Sequence, residues 1–246
     1  MRCPLVRLHV AQALGSGQSV ALDADQAHYL RAVMRLEPGA RVELFDGRSG
    51  AWEAEIAELG KRRGVAVCAR RVAPQRDPPD LWLLFAPIKK ARTDFIVEKA
   101  TELGARRILP VMTEHTNSER VRRDRLQAHA VEAAEQCGGT FVPEVEELRP
   151  LAKVLDAWDD ARALVFADET LSDDPHWARG GEGGAMPPAP AAILVGPEGG
   201  FSDAERARLR GMAASVPVAL GPRILRADTA AVAALTLWQW TQGDWR

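Results

Sequence analysis

Residues 192–205 read AILVGPEGGFSDAE, and the fold class follows from how this stretch divides. Ala192–Val195 is apolar without alternation, the pattern of a strand buried on both faces. The run breaks into Gly196-Pro197-Glu198-Gly199-Gly200. Ser202 with Glu205 three residues on is a capping box, so a helix opens there. The intervening loop therefore joins a buried strand to a helix, at the carboxyl edge where open α/β sheets bind ligands. Its glycines remove Cβ atoms and let backbone groups approach a ligand closely, although a ligand-free glycine turn looks the same when read alone. The spacing fits neither G-x-G-x-x-G nor G-x-x-x-x-G-K-[ST], which argues against a dinucleotide fold and a P-loop. Glu198 would repel a phosphate. It suits a ligand with positive charge or with hydroxyl and amine donors.

Outward from this loop the same grammar repeats. LWLLFAPI (81–88) is another doubly buried strand, and a helix over about Thr93–Leu103 carries an apolar stripe of Phe95, Ile96, Val97, Ala100 and Leu103, with Gly104 as its C-cap. RRILPVM (106–112) is the next strand and RDRLQAHAVEAAEQC (123–137) the next helix, stopped at Gly138-Gly139. RALVFADE (162–169) and VPVAL (216–220) complete the strands, and a last helix runs over about Thr229–Trp240. Strands alternating with helices mean a parallel α/β sheet. Gly180–Pro190 is a low-complexity insert, expected to be a mobile loop.

The front of the chain reads differently. GARVELFDGRSGAWEAEIAELG (39–60) alternates around the hairpin signal Asp46-Gly47, RGVAVCARRV (63–72) is a further strand, and Asp25–Met34 fits one short helix. Closely spaced short strands suggest a small β-barrel. The prolines and charges of APQRDPPD (73–80) mark a linker. The expected division is a barrel over 1–73, a linker over 74–80 and an α/β domain over 81–246.

Composition sets the outer bounds. With 46% apolar and 27% charged residues in 246, most of the chain is expected to be globular rather than disordered. No apolar run approaches the ~18 residues of a membrane span, and MRCPLVRLHVAQ lacks a signal-peptide core. Cys3, Cys68 and Cys137 are scattered and odd in number. They suggest a reducing cytoplasm rather than a disulfide framework, with no metal. Residues 1–125 hold 22 Lys and Arg against 16 Asp and Glu, a balance of +6. The remainder holds 10 against 18, or −8. A positive front half fits an extended anion such as RNA, and fits ordinary surface fluctuation as well.

A second copy of the opening grammar lies close behind. VPVALGPRILRADTAAVAALTLWQW (216–240) is again a strand, then Gly221-Pro222, a short loop and a helix, with Asp228 or Thr229 as N-cap. Two such loops at neighbouring strand ends would wall one pocket, and the second adds Arg223 and Arg226.

LVGPEGGFSDAE (194–205) followed by LGPRILRADTAAVAAL (220–235) resembles the paired C-terminal motifs of the SPOUT methyltransferases, and within them the bacterial small-subunit (16S) ribosomal RNA uracil-N3 methyltransferases. EKATELGARRILPVMTE (98–114), EAAEQCGGTFVPEV (132–145) and HYLRAVMRLEPGARVELFDG (28–47) match the same family in order, nearly end to end. The resemblance implies a PUA-like RNA-binding barrel joined to an α/β domain with a trefoil knot, a homodimer, and S-adenosylmethionine as methyl donor. It implies cofactor contacts at Leu194, Gly196, Glu198, Gly199, Gly200, Leu220, Gly221, Ile224, Leu225 and Arg226. Relatives usually read Leu-Arg-Thr-Glu-Thr where this chain has Leu225-Arg226-Ala227-Asp228-Thr229, so a hydroxyl is lost and a carboxylate shortened. They also tend to carry arginine where this chain has His115.

The implied reaction is in-line methylation of uracil N3 with loss of the N3 proton. Arg226 would stabilise the developing anion, with Asp228 orienting it, accepting the proton, or serving only as a helix cap. Small-subunit ribosomal RNA would be held by Arg7, His28, Arg31, Arg35, Lys89, Lys90, Arg92, Arg120, Arg122, Arg123 and Arg125, within an assembled or nearly assembled subunit. His9, His129 and His176 receive no role. Rival readings are a SPOUT enzyme acting on another base or a ribose 2′-hydroxyl, and a non-catalytic RNA-binding module. A nucleotide-dependent oxidoreductase is disfavoured because both glycine fingerprints are missing.

Overall fold

The computed structural model describes residues 5–117, 121–172 and 186–245. Arg120, Cys3, His176 and most of the 180–190 insert fall outside the described residues. The chain divides into two compact units: Met1–Asp77 with Ala134–Val142, and Pro78–Ala133 with Pro143–Arg246. The first includes a segment, 134–142, that lies beyond the proline-rich linker and was expected in the α/β domain.

The first unit is built on a five-stranded mixed sheet in the order β1-β3-β4-β5-β2. Its strands are β1 (Arg7–His9), β2 (Ser19–Leu22), β3 (Arg41–Phe45), β4 (Ala51–Leu59) and β5 (Gly64–Ala73). β1 and β3 run parallel, while β3-β4, β4-β5 and β5-β2 are antiparallel. The hairpin forms around Asp46, whose Oδ1 accepts from the Arg48 and Ser49 amides. The short helix divides in two: α1 (Ala24–His28), opened by a capping box from Asp23 to Gln26, and a π-helical turn over Tyr29–Val33. Leu8, Val20, Leu30, Val42, Leu44 and Ile56 fill the core beneath.

The second unit holds a parallel sheet in the order β12-β10-β11-β6-β7-β8, with β9 also pairing β7. Its strands are β6 (Leu81–Phe85), β7 (Arg107–Met112), β8 (Glu144–Val145), β9 (Arg149–Pro150), β10 (Ala163–Ala167), β11 (Ala191–Val195) and β12 (Ser215–Val218). The helices are α2 (Lys90–Glu102), α3 (Arg123–Cys137, its last four residues counted with the first unit), α4 (Leu151–Asp156), α5 (Asp203–Gly211) and α6 (Ala227–Thr241). All five residues of β11 are buried, as its unbroken apolar run requires. β11 sits between β10 and β6, so the loop leaving it emerges at the middle of the carboxyl edge. Thr93 sets the first turn of α2. Its hydroxyl accepts from the Ile88 amide and donates to the Ile88 carbonyl.

Candidate functional site

Three strand ends meet at that edge. The loops after β10, β11 and β12, with the start of α6, wall a cleft of about 310 Å³, within the range of small-molecule sites. The two Gly-Pro loops line it through Gly196, Glu198, Gly199, Gly200, Leu220, Gly221, Ile224 and Leu225. Leu194 does not reach it: it is fully buried with Phe166 and Leu209 in the core beneath. Arg226 is not on the lining either. It occupies the N-cap position of α6 with its side chain exposed, and no hydrogen bond or ion pair engages that side chain among the described residues.

The β11–α5 loop is held from several sides. Ser202 caps α5 through the Glu205 amide, and Glu205 Oε2 accepts from the Ser202 amide at 3.0 Å. Glu205 Oε1 accepts from the Glu114 amide at 2.9 Å, tying the chain after β7 to α5. The next residue, His115, donates from Nδ1 to the Gly199 carbonyl at 3.0 Å. His115 thus acts as a clamp on the glycine loop. Gly200 has φ +67, and a Cβ there would lie 2.3 Å from Glu169 Oε1. Phe201 turns inward edge-on against Phe166, its ring 3.2 Å from where a Gly196 Cβ would be.

The loop after β10 supplies a wall that the sequence reading missed, through Ala167, Asp168, Glu169 and Ser172. Asp168 and Glu169 end the strand motif RALVFADE, a third acidic strand end at the same edge, and that was the available signal. Asp168 is almost fully buried. Arg210 binds its Oδ2 at 2.6 Å, Arg206 stands 3.4 Å from Oδ1, and Thr170 donates its hydroxyl to Oδ1. Arg206 also binds Glu169 Oε1 at 2.9 Å. Both carboxylates are thus neutralised from α5.

Glu198 has a different partner. Arg92, from the first turn of α2, donates to Glu198 Oε1 at 3.0 Å, and its Nε lies 3.7 Å from Asp228 Oδ2. One arginine, expected to bind RNA, therefore joins the β11 loop to the start of α6. Asp228 is not the N-cap of α6, and neither is Thr229: the helix starts at Ala227, two residues earlier than its apolar periodicity suggested. Asp228 Oδ1 instead accepts from the Thr229 amide at 2.9 Å, with the carboxylate in the first turn, where the helix dipole favours negative charge.

The other basic residues separate by how far they are committed. Arg7 is mostly buried. It binds Glu43 at 2.7 Å, donates to the Ala134, Glu135 and Gly139 carbonyls, and stacks on Phe45. Arg125 pairs with Asp94, whose carboxyl is pushed up by burial against the opposing pull of His129. Arg123 holds the Val145 carbonyl at 2.8 Å and Arg122 pairs with Asp124. His28, Arg31, Arg35, Lys89 and Lys90 are exposed. His129, given no role from the sequence, stands between Asp94 and Glu98. Around Trp82, near the amino ends of β6 and β7, a second cavity of about 240 Å³ is lined by Arg107, Arg149, Trp158 and Arg162. Arg162 stacks 3.8 Å over Trp82 and binds Asp80, pulling that carboxyl below its ordinary value.

A glycine-edged cleft at the carboxyl edge of a parallel sheet, with apolar walls and one half-exposed carboxylate held by a single arginine, defines a site for a small organic cofactor. Comparison with known proteins agrees. The model of an RNA methyltransferase domain matches residues 75–239, and that of an RNA methyltransferase PUA domain matches residues 22–67. The ribosomal RNA small subunit methyltransferase E of Synechocystis sp. is 32% identical over 93% of this chain and 75% of its own length. That of Rickettsia conorii is 27% identical over 93% of each. The solved structure of the Neisseria gonorrhoeae protein of the same name, bound to S-adenosyl methionine, superposes with a TM-score of 0.86 at 28% identity, covering 98% of this chain and 100% of that one. This chain belongs to the ribosomal RNA small subunit methyltransferase E family of RNA methyltransferases.

Proposed function

We propose that this protein transfers the methyl group of S-adenosylmethionine to N3 of a uridine in small-subunit (16S) ribosomal RNA. The observation that carries the reading is the meeting of both Gly-Pro loops in one cleft, with Arg226 and Asp228 flanking the lining residue Ala227 in sequence. The donor fits the residues present. Gly196, Gly199 and Gly200 bare the backbone edge, Leu220, Ile224 and Leu225 give apolar walls, and Glu198 offers a carboxylate to a positive charge. Bound there, S-adenosylmethionine supplies a methyl group made electrophilic by a cationic sulfur.

The chain's own residues do the rest. Arg226, exposed at the N-cap of α6 and without a side-chain partner among the described residues, would supply the guanidinium that stabilises negative charge on the uracil ring. The N3 proton leaves to Asp228 or to water. The new N3–carbon bond then forms from the nitrogen lone pair as the sulfur–carbon bond breaks, and the sulfur keeps that pair. Holding N3, methyl and sulfur in line accounts for much of the rate. His28, Arg31 and Arg35 on the first unit, and Lys89 and Lys90 at the start of α2, are exposed and are the proposed contacts to RNA phosphates. A cytoplasmic homodimer, a C-terminal segment threaded as a knot, and an assembled or nearly assembled subunit as substrate complete the proposal.

Mass spectrometry of ribosomal RNA nucleosides from a deletion strain tests it. Loss of 3-methyluridine, restored by the gene, is expected; loss of another methylated nucleoside or a ribose 2′-O-methyl mark would reassign the substrate. Arg226→Ala should fold and bind cofactor normally yet lose turnover by about a hundredfold or more, the scale of removing one electrostatic donor. Near-normal turnover would take Arg226 out of the mechanism.

A further inference from the structure

We infer that Arg92 and the cationic centre of the methyl donor compete for the Glu198 carboxylate, so that this ion pair makes the cleft sensitive to the charge of its occupant. The inference rests on the function proposed above and assigns Glu198 and Arg92 a task within it.

Among the described residues three carboxylates line the cleft, and two are already satisfied. Asp168, with a side chain 1% exposed, is held by Arg206, Arg210 and Thr170, and Glu169 by Arg206. Glu198 is 47% exposed and takes one cation, Arg92, on Oε1 alone. Nothing bonds its Oε2 among the described residues. Arg92 also has somewhere else to go, since its Nε already lies 3.7 Å from Asp228 Oδ2. A guanidinium carries five donors in a planar fork, so it can release one carboxylate while keeping the other. The cost is one partly exposed ion pair, a weak interaction in water. A positive charge arriving in the cleft has enough to offer to displace it.

Methyl transfer removes that charge. The sulfonium carries one positive charge before the sulfur–carbon bond breaks, and the thioether left behind is neutral. While the donor is bound, Glu198 faces its cationic centre and Arg92 turns to Asp228. Once the methyl group has gone, Glu198 has no cation in the cleft and Arg92 returns to it. The exchange thereby narrows the preference for the donor over its spent form that the Glu198 carboxylate confers. It also brings Arg92 to Asp228 in the state in which the substrate must be aligned.

Calorimetric titration with S-adenosylmethionine and, separately, S-adenosylhomocysteine tests this without measuring turnover. Glu198→Gln should weaken the donor by about tenfold and the product by less than about threefold, as loss of one charge–charge contact predicts. Arg92→Gln removes the competitor and should tighten the donor about threefold relative to the product. The double variant should match Glu198→Gln, because Arg92 affects the donor-to-product ratio through that carboxylate, and Arg92→Lys should keep the wild-type ratio. The ratio of two ligands on one protein is insensitive to a loss of folded material. Equal shifts for both ligands, or preferential loss of donor affinity in Arg92→Gln, would overturn the inference and leave the proposed function standing. Failure of the unaltered protein to bind either ligand would instead remove the proposed function.

Discussion

Glu198 and Gly200 show how unevenly single residues disclose their work. A carboxylate set among glycines was legible as a group avoiding phosphate, because charge is a property of the residue itself. Its partner was not, since Arg92 stands 106 positions away and only the folded sheet brings α2 beside the β11 loop. Arg7 and Arg125 illustrate the converse. Both read as free cations, yet each is spent on internal partners. Gly200 was legible as a position bare of Cβ, but its reason lay in the β10 loop. A side chain there adds left-handed backbone strain and meets a Glu169 carboxylate that Arg206 holds in place. Gly200→Ala should therefore cost about 1–2 kcal/mol of stability and weaken cofactor binding. Thermal unfolding with and without S-adenosylhomocysteine checks this, and an unchanged melting temperature would show that the loop gives way freely.

At the level of elements, doubly buried strands and capping boxes were the most legible features. β6 and β11 appear as unbroken apolar runs, and Ser202 with Glu205 opens α5 as its spacing implies. The start of α6 lies before the expected Thr229 because the acidic Asp228 reads as a cap, while Arg226 caps the helix with backbone alone. The start of the loop after β10, residues 168–172, carries no glycine to mark it, although its acidic pair sits at the same edge. What no local pattern shows is that Glu205 serves two elements at once. It accepts from the Ser202 amide within its own helix start and from the Glu114 amide after β7. Loss of a capping group typically costs about 1 kcal/mol, and here a cross-link goes with it. Glu205→Ala should thus lower stability by about 1–2 kcal/mol and speed hydrogen exchange at the Ser202 and Glu114 amides together. Faster exchange at Ser202 alone would show that His115 and its neighbours hold the β7 end without help.

Across the whole molecule, the change from short alternating strands to buried ones across a proline-rich linker marked two regimes. The grouping of Ala134–Val142 with the first unit was invisible, because sequence patterns report neighbours along the chain and not contacts across it. The first unit also holds the clearest response to pH. His9 packs edge-on against Phe45, and burial lowers its pKa below 6.5, with the Asp46 charge opposing. The unfolded chain therefore takes up a proton near its ordinary value while the folded chain resists. The unfolded state binds more protons in that interval, so stability rises with pH there and falls on acidification. The contribution is fully present above about pH 6.5 and is lost as pH falls toward the folded pKa. Asp46 acts in a separate window. Burial alone would raise its pKa, but hydrogen bonds from Ser49, Arg48 and Leu14 outweigh that and hold it below 3.8, so its contribution fails only in stronger acid. His9→Phe keeps an aromatic ring against Phe45 and removes the titrating group. Urea unfolding at about pH 7 and about pH 5 should show a smaller loss of stability on acidification in the variant than in the unaltered protein. Identical losses would mean that His9 takes up its proton in the folded state as readily as in the unfolded chain, and that the acid response is set by the remaining histidines.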